Sequence, residues 1–421
     1  MTDTAAPDQQ RRLSALLGVE APGEWLPFAG ELADRASGAP PWFLADDYVV
    51  GVCGELDIEP ADAAELRRAA SAVRSDAAAS ALSWLWHRAL FPTEPHSPAT
   101  PSPRLRTGEW PMPPDPPGAE GLMDGMFPLL ILLSGYRDAQ SVYARLSLPP
   151  DVVRQALGGV PSCLAAHRER TGRRGLGLMY LNWLLLAFRG RLYRLGVLNF
   201  EIAWLGHDVH VLRHRRDGGV AILAGAGAAF DATGLMVGPS APTSGDGWTA
   251  RFLDDGVAVA GHSFDASGRA RPAPRVFGWA DWDHVLGQGD PVLGVHIPRQ
   301  GRLTVESCRE SMSEAERFFR QYFPDHRFGG FTCSSWMLDP RLAELLPSES
   351  NILRFQGLFH LYSTTPGPTA VYWFVFRGPV RPVEELPEDT TLQRRLKDYL
   401  RAGHQLGGGG GVILTEPPDL E

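Results

Sequence analysis

The chain has 421 residues, 44% of them hydrophobic and 21% charged, a normal balance for a globular protein and a length that suits two domains. A formal net charge of −9 argues against general nucleic-acid binding, where a basic surface dominates, but still permits a small basic pocket for one anionic ligand. The four cysteines (Cys53, Cys163, Cys308 and Cys333) form no CxxC pair and have no histidine at zinc spacing, so neither a metal site nor a disulfide framework is expected, and the setting reads as reducing and cytoplasmic.

The opening "MTDTAAPDQQRRLSALLG" is polar before Leu13 and lacks the apolar core of a signal peptide. Residues 9–90 read as helical. In "PADAAELRRAASAVRSDAAASALSWLWHRALF", Pro60 and Asp62 suit a helix start, and apolar residues then recur every three or four positions. Residues 92–117 carry ten prolines, which no regular element survives. Helical patterns resume directly afterwards, so this stretch is expected to be a crossing inside the first domain rather than a linker. The apolar run "LGLMYLNWLLLAF" (Leu176–Phe188) is 13 residues long and contains Asn182. It is too short to span a bilayer and predicts a buried helix, with no membrane partner.

From residue 191 the period changes. "YRLGVLNFEIAWL", "DVHVLRHRR", "GVAILAGAG", "GWTARFLDDGVAVAGHSF" and "PVLGVHI" are short and rich in β-branched and aromatic residues, and "RRDGG" at 215–219 marks a hairpin. "TVESCRESMSEAERFFRQYF" predicts a helix with Val305, Cys308, Met312, Ala315, Phe318, Phe319 and Tyr322 on one stripe. "RFGGFTCSSW" and "TAVYWFVFRG" read as strands, "DPRLAELL", "SNILRFQGLFHLY" and "DTTLQRRLKDYLRAG" as helices, and the five glycines 407–411 as a flexible connector before a last strand "VILT". The expected fold class is α+β: an all-helical N-terminal domain over 1–190, then a mixed, largely antiparallel sheet flanked by helices over 191–421. Abundant Ala, Gly, Pro and Arg with little Lys points to a GC-rich bacterial source.

One corner concentrates chemistry. In "HIPRQGRLTVESC" (296–308) an apolar strand ends in His296, and a tight basic turn leads to Thr304, a good helix N-cap. Unpaired N–H groups at a helix start, Gly301 with its conformational freedom, and the cations Arg299 and Arg302 suit a phosphate; solvated arginines on an ordinary turn are the plain alternative.

The pieces "VHIP", the following "G-x-L", "FFRQYFP", "CSSWMLDP" and "SNILRF" resemble a bacterial family of acyltransferase-domain proteins, in which a helical N-acyltransferase domain precedes a GNAT-like C-terminal domain. The resemblance is densest over 289–356 and extends more weakly over 190–415. It implies an acyl-CoA donor, acetyl or longer, and a small-molecule amine acceptor. It also implies a strand–turn–helix that holds the CoA pyrophosphate, which assigns Ile297, Arg299, Gln300, Gly301 and Arg302 to cofactor binding. The family's Q/R-x-x-G-x-G/A turn is matched only in part, since Gly301 comes early and Arg302 and Leu303 occupy the second glycine's place.

Aminolysis of a thioester needs a carbonyl polariser, a base for the amine and a contact for the leaving thiolate. A backbone amide near Val295–Ile297 is the family's polariser. Histidine changes charge near neutral pH, so His296 is a candidate base, or else a histidine bonded within the sheet. Ser334 and Ser335 are candidates for a substrate or thiolate contact, with helix capping as the alternative. Asp339 reads as an N-cap, Tyr362 and Tyr372 as core or acids, and Glu201 as solvated or facing an acceptor cleft. A metal role for His207, His210 and His214 is weighed and set aside. Two other readings remain open: a thiol hydrolase or transferase with Cys333 as nucleophile beside His296 and Asp339, and a non-catalytic GNAT-shaped module. The sequence leaves the oligomeric state undetermined.

Overall fold

A computed structural model describes residues 10–11, 13–15, 17–31, 39–92, 100–101, 105–238, 246–298, 303–365, 367 and 369–416. Contacts divide the chain into two compact units, Met1–Arg194 and Leu195–Glu421.

In the first unit the helices are α1 (Asp46–Glu55), α2 (Pro60–Ser75), α3 (Ala77–Leu90), α4 (Leu122–Ser134), α5 (Tyr136–Arg145), α6 (Pro150–Leu157), α7 (Gly159–Thr171) and α8 (Leu178–Phe188). Pro60 opens α2, and Leu66, Ala69, Ala70 and Val73 form its buried stripe. Asp76 caps α3, its carboxylate accepting from the Ala79 N–H at 2.8 Å. The described part of the proline-rich segment packs within this unit. Trp110 is buried edge-on between Trp25 and Trp86, and the Trp86 indole donates to the Pro111 carbonyl at 2.8 Å. No helix among the described residues is long and apolar enough to cross a membrane.

The second unit is built on strands. They are β1 (Leu192–Leu195, straddling the boundary), β2 (Leu198–Trp204), β3 (Val209–His214), β4 (Val220–Ala224), β5 (Ala229–Phe230), β6 (Trp248–Thr249), β7 (Phe252–Asp254), β8 (Ala258–Gly261), β9 (Arg275–Gly278), β10 (Trp282–Leu286), β11 (Pro291–His296), β12 (Gly330–Ser335), β13 (His360–Ser363) and β14 (Gly409–Leu414). The main sheet has the order β1-β2-β11-β12-β14-β13. β11 and β12 run parallel, whereas β2–β11, β12–β14 and β13–β14 are antiparallel.

Alternation along the strands sorts residues to two faces. Phe200, Val295, Phe331 and Cys333 share one face, where the 18-residue helix α9 (Val305–Tyr322) buries Cys308, Met312, Ala315, Phe318 and Phe319 along the expected stripe. On the other face Val292, Tyr362 and Val412 join Val209, Val211, Ile222 and Leu286 in one core cluster, so the small sheet β10-β3-β4 covers the main one. β3 and β4 form the hairpin that "RRDGG" predicts.

Three expectations are corrected. The run "SNILRFQGLFHLY" is helical only over Asn351–Gln356; its end, from His360, is strand β13, which pairs with β14. "TAVYWFVFRG" is not a strand: Thr369–Phe374 form a helix, α12 here after α10 (Leu342–Leu345) and α11 (Asn351–Gln356), which buries Val371 and Tyr372, and the turn that follows it buries Val375 and Phe376 in the same cluster. Nor do all the glycines at 407–411 form a connector. Gly409, Gly410 and Gly411 are ladder residues of β14, paired with Ser335, Ser334 and Cys333. A Cβ on Gly410 would strike the Tyr362 ring, and one on Gly409 the Leu338 carbonyl, so neighbouring groups require glycine there.

Candidate functional site

The parallel ladder between β11 and β12 contains only Leu293↔Phe331 and Gly294↔Thr332. Both strands continue beyond it, each holding its outer neighbour: His296 still pairs with Asn199 of β2, and Ser335 with Gly409 of β14. The sheet therefore opens between two adjacent parallel strands, with Val295 and His296 on one arm and Cys333 to Ser335 on the other.

On the first arm, His296 Nε2 lies 2.9 Å from Glu201 Oε2. The two side chains are 37% and 20% exposed, so the pair is reachable from solvent. Gly294 stands opposite Glu201, and its missing side chain leaves room for the carboxylate to lean toward His296. A carboxylate in that position orients the imidazole and offsets the charge it gains on taking a proton. Ile297 follows, half-buried. The residues Arg299, Gln300, Gly301 and Arg302 lie outside the described residues. Beyond them Thr304 caps α9 through a capping box with Ser307.

On the second arm, Ser334 is exposed and shares the His296 face by alternation. Its Oγ lies 3.3 Å from Nε2 of His207. Ser335 points the other way, and its Oγ accepts from the Met337 N–H at 3.2 Å, capping the 3-10 turn Trp336–Leu338. Cys333 also faces away from His296. It is 2% exposed, and burial pushes its thiol up to about 12, so it is held as an unreactive thiol. Asp339 is a buried clamp: Oδ1 accepts from the Arg341 N–H and guanidinium, both at 3.0 Å, and Oδ2 from the Gly407 N–H at 2.8 Å. Cys333, His296 and Asp339 therefore do not assemble into a nucleophile–base–orienter set. Cys333→Ala is expected to leave activity unchanged and to lose about 1 kcal/mol of stability, checked by a rate assay and urea unfolding.

The other candidates find structural roles. Tyr362 is buried under the small sheet, and Tyr372 packs in the cluster around α12. His210 Nδ1 meets His284 Nε2 at 3.3 Å and His214 Nδ1 meets Asp217 at 2.7 Å, so the three nearby histidines diverge. Among the described residues, no group of three or more His, Cys, Asp or Glu is placed to hold a metal ion. Sequence reasoning missed both long-range partnerships, Glu201 with His296 and His207 with Ser334. Alternation puts Glu201 opposite its apolar neighbours, but nothing local reveals which strand it faces.

Solved structures similar to the chain over 97% of its length include the following three. A mutant acyltransferase in complex with octanoyl-CoA matches with 21% identity and a TM-score of 0.60, over 100% of that chain. An acyltransferase in complex with decanoyl-CoA and teicoplanin matches with 22% identity and a TM-score of 0.59, over 99% of that chain. An acyltransferase in complex with decanoyl-CoA alone gives 21%, 0.60 and 99%. At these identities the likeness establishes the fold. No curated protein matches the sequence. The N-acyltransferase N-terminal domain family matches residues 47–190, and the GNAT-like C-terminal domain family matches residues 192–413. With more than half its length in that second match and the helical partner domain before it, the chain belongs to the acyltransferase family that joins an N-acyltransferase N-terminal domain to a GNAT-like C-terminal domain.

Proposed function

We propose that the protein transfers an acyl group from acyl-CoA to an amine on a small-molecule acceptor, and that residues 1–190 and 191–421 are its two domains. The observation that carries this reading is the opening between β11 and β12 after Gly294 and Thr332, which offers a pantetheine arm two half-free strand edges. In that placement the thioester lies between the two arms. A backbone N–H near Val295–Ile297 polarises its carbonyl, His296 takes the proton from the attacking amine, and Glu201 steadies the imidazolium. Ser334 faces the leaving sulfur. Arg299, Gln300, Gly301 and Arg302, just before the capped start of α9, are proposed to hold the pyrophosphate. The similar structures hold octanoyl-CoA and decanoyl-CoA, so medium acyl chains are the first donors to test alongside acetyl-CoA, and teicoplanin the first acceptor probe.

The test is thermal unfolding with CoA, acetyl-CoA, octanoyl-CoA and decanoyl-CoA. A ligand present at about 100 times its Kd stabilises the folded state by about 2.7 kcal/mol, enough to raise Tm measurably. An Arg299→Ala/Arg302→Ala double variant is expected to lose that rise. No shift with any of the four ligands would overturn the reading.

A further inference from the structure

Across the opening from His296, the second arm presents a hydroxyl with a partner of its own. Ser334 Oγ and His207 Nε2 are 3.3 Å apart, and His207 lies in the loop between β2 and β3. The His207 ring is half-buried and stands steeply against the Tyr362 ring, with centroids 5.5 Å apart. Tyr362 in turn lies across Gly410, the register partner of both Tyr362 and Ser334. One row through β13, β14 and β12 thus fixes the imidazole and delivers it to the serine. Burial lowers the His207 pKa from its ordinary value, so at neutral pH the ring is uncharged and one of its nitrogens carries a proton.

We propose that His207 is a positioning residue: its Nε2–H donates to Ser334 Oγ and so turns the serine hydroxyl proton toward the sulfur of the acyl donor, where it stabilises the departing thiolate. The inference rests on the acyltransferase reading above. The acceptor nitrogen forms the C–N bond, the C–S bond breaks, and its electron pair goes to sulfur. The proton released by nitrogen passes to His296 and from the imidazolium, directly or through solvent, to the thiolate. Ser334 keeps its proton throughout and contributes a hydrogen bond. A neutral imidazole has no proton to give without becoming an anion, which is why the row supplies orientation rather than acid catalysis. With the other tautomer the hydroxyl would point at Nε2 and present only lone pairs to the sulfur, so the direction of this one hydrogen bond decides whether Ser334 helps.

The test needs no acceptor. CoA is bound to the full-length protein and its thiol is titrated by the ultraviolet absorbance of the thiolate. Ser334→Ala is expected to raise the pKa of the bound thiol by about one unit, the size set by a hydrogen bond to a charged acceptor. His207→Phe is expected to do the same, whereas His207→Gln, whose amide can still donate to Oγ, keeps the wild-type titration. In turnover, Ser334→Ala and His207→Phe are expected to lower kcat about tenfold with an alkyl thioester. They should lower it little with an aryl thioester of the same acyl group, whose thiolate leaves unaided, and KM should hardly move in either case. An unchanged thiol titration in Ser334→Ala, with CoA still bound, overturns the inference and leaves the acyltransferase reading intact. Failure of the wild-type protein to bind CoA sinks both.

Discussion

Replacing His296 with alanine is expected to lower kcat for acyl transfer by about 10²- to 10⁴-fold, the range a positioned general base supplies. KM for the acyl donor should stay near the wild-type value, because in the proposed mechanism the imidazole acts on the acceptor nitrogen rather than on CoA. Glu201→Gln tests the supporting half of the pair. The amide keeps a hydrogen-bonding oxygen near His296 Nε2 but removes the negative charge that stabilises the imidazolium, so its loss should be smaller than that of His296→Ala. A His296→Ala protein that binds CoA and turns over at the wild-type rate would remove the imidazole from the mechanism.

Asp339→Ala is expected to show the largest stability loss of any single change considered, about 3–5 kcal/mol, because a partner of a buried charge is removed and the other charge stays behind. The Asp339 side chain is 2% exposed and that of Arg341 11% exposed, so neither is rescued by water. The backbone N–H groups of Arg341 and Gly407 lose their acceptor at the same time. Asp339→Asn should fall between wild type and alanine, since its Nδ2 would confront one of those donors. Denaturant unfolding reads the effect as a lower midpoint at unchanged slope. A loss below 1 kcal/mol would show that the corner relaxes and lets solvent in.

The parts of this protein visible from sequence are those whose physics is local. Thr304 with Ser307 three residues on, and an apolar stripe from Val305 to Tyr322, specify α9 without reference to anything else. "RRDGG" between two alternating runs specifies the β3–β4 hairpin for the same reason. The misread segments are those in which a distant neighbour decides. "TAVYWFVFRG" is apolar on nearly every side, so period cannot separate helix from strand, and β-branched and aromatic composition favours the wrong answer. Only the burial of Val371 and Tyr372, and of Val375 and Phe376 just past the helix end, beside Leu386 and Leu396 shows how the segment packs. The glycines of β14 have no strand propensity and belong to the sheet because Tyr362 and Phe359 occupy the space their side chains would need. The site divides in the same way. His296 and Ser334 are reachable from motif and resemblance, but Glu201 lies 95 positions from His296 in the chain, and His207 lies 127 from Ser334. Such pairs exist only once strand order and register are known.

The bare stretch of β14 makes its neighbours' side chains tenants of its surface. A substituent added at Gly410 would be felt first by the tyrosine ring resting there, then by the imidazole leaning on that ring, and last by the serine at the mouth of the opening. Damage to a strand that carries no reactive group of its own would thus surface at Ser334 on the neighbouring strand, as well as in the folding of the sheet.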